Sequence, residues 1–135
     1  MRIWHKDLIP VLPRHQLLGQ WRELCLIAKE INRKGTPNHL LVNKVTEYPP
    51  VHLLAYADLV ASEMRHRNFK VNFMAFDRYL PELGESYYPT QAELFAGWHT
   101  PRYLGQCLFN LEEKYDCGGI PEDEWEKILR AFPKG

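Results

Sequence analysis

The stretch from residue 14 to residue 32, RHQLLGQWRELCLIAKEIN, repeats apolar residues at intervals of three and four. Because an α-helix turns by about 100° per residue, this spacing places the apolar residues on one side of a helix. Pro13 precedes the stretch and Gly35-Thr36-Pro37 follows it, as is typical of the ends of a helix. The pattern predicts an amphipathic helix over Arg14–Asn32 with an apolar side formed by Leu17, Leu18, Trp21, Leu24, Cys25, Ala28 and Ile31.

The middle of the chain predicts one more helix and then a loop. The helix begins around Pro49-Pro50, continues through Met64 and ends in the basic cluster Arg65-His66-Arg67. The helix dipole favours cations at that end, so the cluster also has a structural explanation. The stretch Asn72–Pro89 contains two prolines and Gly84 and predicts an ordered loop.

The last third of the chain predicts three helical segments. A short helix is expected over Thr90–Trp98. Thr100 is a suitable N-cap before proline at the first helical position, and that helix should reach about Asp116. A last amphipathic helix follows Pro121. No segment alternates apolar and polar residues as a half-buried strand does. The sequence therefore predicts an all-α fold, a compact single-domain bundle of three to five helices with ordered loops over residues 1–135.

Composition limits the class of protein. The chain has 135 residues, of which 45% are hydrophobic and 25% charged, as in ordinary globular proteins. It holds no apolar run near the roughly 20 residues that cross a membrane, and its first residues carry charge where a signal peptide is apolar. We therefore expect a cytoplasmic protein with no membrane partner. Three cysteines and six scattered histidines form no ligand pattern, so neither metal nor cofactor is expected.

Charge is distributed unevenly, although the formal net charge is zero. Residues 1–78 hold 12 Lys and Arg against 7 Asp and Glu, whereas residues 79–135 hold 5 against 10. The basic half could face phosphate groups. The alternative is that solvated helix surfaces simply differ in sign.

The first predicted helix carries a polar pair, Arg22-Glu23, beside its apolar side. With Leu17 placed at zero, the apolar side is centred near about 20° and Arg22, Lys29 and His15 lie at about 120–160°. Glu23 lies at about 240°, so Arg22 and Glu23 leave the core on opposite flanks. By itself such a pair is most often a solvated surface feature.

The first residue is a candidate nucleophile. Methionine is removed only before a small residue, and because Arg2 is large we expect Met1 to keep its α-amine. The α-amines of proteins titrate near about 7.7–8, against about 10.4 for lysine, so more of the amine is unprotonated at neutral pH. An amine of this kind can attack a sugar carbon without a buried lysine. The alternative is an ordinary chain start with no role.

The sequence Met1-Arg2-Ile3, followed by QLLGQWREL at residues 16–24, resembles the start of the pyrimidine dimer DNA glycosylase/AP lyase family of the phage endonuclease V type. The helix that ends in RHRNF at residues 65–69 is similar to the second long helix of that family, and Tyr88-Pro89 to the start of its next segment. The resemblance is strongest over residues 1–32 and extends to about residue 95. As a whole, the chain looks more like the family's bacterial members than like the phage archetype.

Position by position, this resemblance implies a DNA-repair enzyme, a DNA N-glycosylase with AP lyase activity. The α-amine of Met1 would attack C1′ of the damaged nucleotide, and Glu23 would stabilise the developing charge and assist β-elimination. The implied partner is damaged double-stranded DNA, bound by a monomer without metal or cofactor. The residues that the resemblance places at the DNA are Arg2, His15, Gln16, Arg22, Lys29, Arg65 and Arg67.

The chain also departs from the archetype. Met1 stands where the archetype exposes a small residue, Leu26 stands where it has a second arginine, and an acidic helix replaces its basic C-terminus. These changes leave open whether the substrate is a pyrimidine dimer, an abasic site or another modified base. Two other functions remain open. One is a non-catalytic nucleic-acid-binding module, and the other is a protein-interaction domain that docks through its acidic helix.

Overall fold

A computed structural model of the chain describes residues 1–83 and 87–134. Two 3₁₀-helices, Lys6–Val11 and Asn43–Glu47, accompany the α-helices. The α-helices are α1 (Arg14–Lys34), α2 (Pro50–His66), α3 (Met74–Asp77), α4 (Pro101–Asp116) and α5 (Glu122–Ala131). No strand occurs in these ranges, which confirms the all-α prediction.

The four long helices begin and end close to the predicted residues because their caps are local. In α1, Gly35 adopts a left-handed backbone with φ 81°, and its N–H donates to the carbonyl of Ile31 at 2.7 Å. A residue with a Cβ resists that conformation, whereas glycine does not. In α4 the hydroxyl of Thr100 accepts from the N–H of Tyr103 at 3.2 Å.

The helices share one hydrophobic core. Helix α1 packs against α2 and α3, and the first 3₁₀-helix packs against α2 and α5. In this way the chain immediately after the N-terminus is buried between helices that come from different parts of the sequence. Residues 3–6 are all buried.

The predicted helix over Thr90–Trp98 is wrong, because this segment is a series of hydrogen-bonded turns. Phe95 has φ 49° and Gly97 has φ 90°, and neither value continues a right-handed helix. The buried Lys6 donates from Nζ to the carbonyl of Gln91 and, at 2.6 Å, to that of Leu94. A side chain from the start of the chain therefore satisfies carbonyls that a helix would satisfy internally.

The predicted loop Asn72–Pro89 contains the short helix α3, which the sequence analysis did not predict. Its anchor is Phe76, which is fully buried with its ring 6.0 Å from that of Trp21. Burial of one aromatic residue against α1 therefore shapes a segment that is too short to show a periodic pattern. Gly84 of this predicted loop lies outside the described residues.

Candidate active site

A cavity of about 430 Å³ opens between the N-terminal residues, the outer side of α1 and one side of α4. A turn between α1 and α2 contributes one residue to its rim. The lining residues are Met1, Arg2, Trp4, His15, Gln16, Gly19, Gln20, Arg22, Glu23, Leu41, Asn110 and Lys114.

Gln20 fixes the N-terminal segment to α1. Its Oε1 accepts from the backbone N–H of Trp4 at 2.8 Å, and its Nε2 donates to the carbonyl of Arg2 at 2.9 Å. Gln20 is only 1% exposed, so both hydrogen bonds lie away from water. Buried hydrogen bonds of this kind are costly to lose, since the backbone groups would be left unpaired. The amide therefore holds Arg2 and Trp4 in one register against α1.

Two tyrosines also hold this segment. The hydroxyl of Tyr56, on α2, donates to the carbonyl of Trp4 at 2.6 Å, and that of Tyr103, on α4, donates to the carbonyl of Ile3 at 2.5 Å. Burial raises the pKa of Tyr56 and of Tyr103, so both hydroxyls keep the proton they donate. Three helices thus bind the backbone of residues 2–4.

This arrangement brings the chain start next to Glu23. The backbone N–H of Arg2 donates to Glu23 Oε2 at 3.4 Å. Three covalent bonds separate the nitrogens of Met1 and Arg2, so these atoms lie within about 4.3 Å of each other. The Met1 nitrogen is therefore within roughly 8 Å of the Glu23 carboxylate, given the 3.4 Å contact. Met1 is exposed and Glu23 is half-buried, so a substrate in the cavity can reach both residues.

The guanidinium of Arg2 is itself held in place. Its Nη1 lies 3.8 Å from Cys107 Sγ, and its Cζ lies 5.6 Å and 5.9 Å from the ring centres of Trp4 and Tyr103. Both rings can attract a cation over their faces. Burial raises the pKa of Cys107, which favours its neutral thiol. The cation therefore has a fixed position beside the cavity rather than a mobile one.

Behind the N-terminal segment lies a buried imidazole. The Nδ1 of His99 accepts from the backbone N–H of Lys6 at 2.9 Å, so the neutral ring carries its proton on Nε2. Burial, assisted by repulsion from His5 and Lys6, lowers the pKa of His99 to about 2. His99 therefore acts as a neutral acceptor that continues the hydrogen bonding of the segment beyond Trp4.

The structure brings together six of the residues that the sequence analysis selected: Met1, Arg2, His15, Gln16, Arg22 and Glu23. Lys29 and Arg65 are exposed and do not line the cavity. Arg67 is also outside it, and its Nε donates to Glu63 Oε2 at 2.7 Å while its Nη1 donates to the carbonyl of Leu12 at 2.8 Å. The side chain of Arg67 thus connects the end of α2 to the first 3₁₀-helix.

Arg22 and Glu23 face one cavity, although the helical projection put them on opposite flanks. The cause is a shift of the buried side of α1, because Gln16, Gln20 and Ile27 are buried, whereas the predicted Leu18, Cys25 and Ile31 are only partly buried. The outer side that remains therefore spans the positions of both residues. Glu23 is the only carboxylate in the described lining, where Arg2, Arg22 and Lys114 supply positive charge.

The sequence analysis did not select Gln20, Tyr56, Tyr103, Asn110 or Lys114. Gln20 did leave a signal, since it follows Gln16 by four residues and precedes Glu23 by three. Such spacing forms a polar row beside the apolar side of a helix. The other four residues lie on α2 and α4, far away in sequence, and local patterns do not show that they approach the N-terminal segment or its cavity.

Among residues 1–83 and 87–134, no three His, Cys, Asp or Glu side chains come together as a metal site would require. Within the same residues, no helix combines the length and apolar character of a membrane span.

Comparison with known proteins gives one match. A family model described as pyrimidine dimer DNA glycosylase matches residues 1–77. The matched part contains the N-terminal residues and α1, and it ends before α4. No curated protein and no solved structure matches the chain.

Proposed function

This chain belongs to the pyrimidine dimer DNA glycosylase family, and we propose that it removes a damaged base through an imine between its N-terminal α-amine and the sugar. DNA is the substrate of this family of glycosylases. The finer proposal assigns the nucleophile to Met1 and the acid–base role to Glu23, and it adds AP lyase activity to base excision.

One observation supports the proposal most strongly, namely the hydrogen bond from the Arg2 N–H to Glu23 Oε2. It places a carboxylate next to the first peptide group, in a cavity that Met1 and Glu23 both line. An amine nucleophile and a carboxylate are the two groups that imine chemistry at C1′ requires. The backbone bonds of Gln20, Tyr56 and Tyr103 supply the rigid positioning that such a pair needs.

The first step forms a bond from the Met1 nitrogen to C1′. The bond between C1′ and the damaged base breaks, and the base leaves with its electron pair and takes up a proton. Positive charge develops on the sugar, and the Glu23 carboxylate offsets it. The nitrogen then loses a proton, the C1′–O4′ bond breaks with its electrons on O4′, which takes up a proton, and the protonated imine remains.

The second step breaks the DNA strand. Glu23 accepts a proton from C2′, which the imine has made acidic, and the C3′–O bond breaks with its electrons on the leaving phosphate. Water then hydrolyses the imine and releases the amine. No redox partner is needed, since these steps only form and break bonds between existing atoms and move protons.

The lining also suits a nucleotide. Arg2, Arg22 and Lys114 can hold phosphate oxygens. Gln16 is 8% exposed and its Oε1 has no hydrogen-bond partner in the described chain, so it can accept from an N–H of a base. Lys29 and Arg65 are exposed and would contact the backbone farther along the duplex, together with His15 at the rim. Arg67 is proposed to position this surface rather than to grip phosphate, because its guanidinium binds Glu63 and Leu12.

The test is borohydride trapping with untagged protein whose free Met1 amine has been verified by intact mass. Two labelled duplexes are used, one with a cyclobutane thymine dimer and one with an abasic site. We expect a covalent adduct on at least one duplex, and we expect it to disappear when the amine is acetylated or extended by Gly-Ser. An adduct on the thymine-dimer duplex requires base excision, whereas an adduct on the abasic duplex alone indicates lyase activity without glycosylase activity.

A non-catalytic nucleic-acid-binding module is the competing function. It predicts tight binding to either duplex without any trapped adduct, and unchanged binding after the amine is blocked. That result, with a verified free amine, would overturn the imine proposal and leave only the family relationship.

A further inference from the structure

Two leucines stand exposed at the tip of the turn between α1 and α2. Leu40 is 89% exposed and Leu41 is 50% exposed. Leu41 lines the candidate active-site cavity and also two further cavities along α4. We call Leu40 and Leu41 the leucine tip. The leucine tip lies at the mouth of the candidate active site, where its apolar side chains would contact an entering substrate.

The leucine tip is held outward by ordered structure. Asn43 Oδ1 accepts from the backbone N–H of His39 at 2.9 Å, and the N–H of Val42 donates to the carbonyl of His39 at 3.1 Å. Val42, next in sequence, is fully buried. A turn that buries Val42 and exposes the two residues before it presents those two side chains in a fixed direction.

The charged residues around the leucine tip indicate the chemical class of its partner. Lys44 and Arg102 line one of the neighbouring cavities with Leu41. Arg2, Arg102 and Glu113 line the other, so cations outnumber carboxylates around the tip. The partner therefore combines negative charge at its edge with an apolar interior that can receive leucine. Duplex DNA has this combination, because phosphates surround stacked bases. Apolar side chains inserted between base steps are a known means of unstacking them.

We propose that the leucine tip inserts into the base stack beside the nucleotide that enters the cavity and fills part of the space left there. The proposal rests on the proposed function only in taking DNA as the substrate. It does not depend on the identity of the nucleophile. Insertion would lower the cost of extruding a stacked lesion, because unstacked neighbours would contact leucine instead of water.

The test uses a duplex in which tetrahydrofuran replaces one nucleotide and 2-aminopurine stands next to it. Tetrahydrofuran cannot form an imine, so the experiment measures binding alone. The double variant Leu40→Ala/Leu41→Ala is compared with Met74→Ala, which removes a side chain 59% exposed on α3, outside the lining of these three cavities. We expect wild type and Met74→Ala to raise the 2-aminopurine fluorescence at saturation, and the double variant to lose most of that rise.

A second measurement compares substrates. The double variant should lose at least roughly tenfold in single-turnover excision from the thymine-dimer duplex, and clearly less on an abasic duplex, where no base must be unstacked. Equal fluorescence and equal excision in wild type and double variant would overturn the insertion proposal and favour a protein partner for the tip. If wild type gives no imine adduct but the fluorescence difference persists, insertion stands and the proposed chemistry fails.

Discussion

The backbone N–H of Arg2 donates to Oε2 of Glu23 across 3.4 Å, which joins the first peptide group of the chain to the middle of α1. In this contact one oxygen of the Glu23 carboxylate, Oε2, accepts a hydrogen bond from the main chain. The other oxygen, Oε1, remains available to a substrate in the cavity that Glu23 lines.

Glu23→Gln keeps an oxygen that can accept from the Arg2 N–H but removes the ability to take a proton from C2′. We expect excision to slow by about 10²–10⁴-fold, the range of general acid–base catalysis, with DNA affinity unchanged or higher. Single-turnover cleavage and gel-shift assays measure the two quantities. Glu30→Gln is the control, because Glu30 pairs with Arg33 and Lys34 on the same helix outside the cavity. A Glu23→Gln enzyme of wild-type speed would refute the assigned role.

Gln20→Leu preserves the bulk of the side chain but leaves the Trp4 N–H and the Arg2 carbonyl without their partners. We expect the free energy of unfolding to fall by about 1–3 kcal/mol for each unpaired group. Imine trapping at saturating DNA should slow more than this loss of stability explains, because the amine is no longer positioned. Gln91→Ala, which removes an exposed side chain, should change neither quantity. Normal trapping by a destabilised Gln20→Leu protein would limit Gln20 to a structural role.

Arg22→Ala and Arg67→Ala separate DNA contact from structural support. Removing Arg22 should weaken DNA binding and reduce the slope of log affinity against log salt by about 0.9, with unchanged thermal stability. Removing Arg67 should lower the free energy of unfolding by about 1–3 kcal/mol, because Glu63 and the part-buried carbonyls of Ile9 and Leu12 lose their donor. Its salt slope should stay as in wild type. Fluorescence anisotropy at several salt concentrations, together with chemical denaturation, distinguishes the two variants.

His99 predicts a pH dependence of stability. Its pKa is lowered to about 2, mainly by burial, whereas histidine in an unfolded chain titrates near about 6.5. At a pH between these two pKa values, His99 is protonated in the unfolded chain but neutral in the folded protein. The free energy of unfolding therefore falls as pH falls below about 6.5, by about 1.4 kcal/mol per pH unit from this residue, and the contribution is complete above that pH.

Urea denaturation at about pH 7 and about pH 5 checks this sign. His5, whose pKa burial also lowers, adds to the same trend. His99→Gln should lose part of the dependence, since one proton fewer is taken up on unfolding. If the wild-type protein is equally stable at both pH values, protonation of His99 in the folded protein costs no free energy, and burial does not lower its pKa.

The sequence predicted those parts of the fold that have local causes. Helix α4 begins at Pro101 because the side chain of the residue before it caps the first turn. The segment Thr90–Trp98 was predicted wrongly because its conformation depends on Lys6, more than 80 residues earlier, which binds the carbonyls of Gln91 and Leu94. No sequence pattern within residues 90–98 indicates the interaction with Lys6.

The residues of the candidate site likewise fall into two groups, those that sequence alone could select and those that only the fold reveals. Arg2, Arg22 and Glu23 stand in the stretches that resemble a known family, so sequence alone could select them. Tyr56 and Tyr103 act on the backbone of the N-terminal segment through contacts that span 52 and 100 residues. A tyrosine in an amphipathic helix is ordinarily a core residue, and only the assembled fold shows which carbonyl its hydroxyl reaches.

The hydroxyl of Tyr103 on the Ile3 carbonyl has a consequence for the order in which the protein matures on the ribosome. Ile3 is translated before Tyr103, which is added 100 positions later. At about 5–20 residues per second, several seconds of synthesis pass before that tyrosine exists, and more before it leaves the exit tunnel. The Ile3 carbonyl therefore has no tyrosine donor until α4 has been made and docks, although Gln20 of α1 can hold Arg2 and Trp4 much earlier in synthesis.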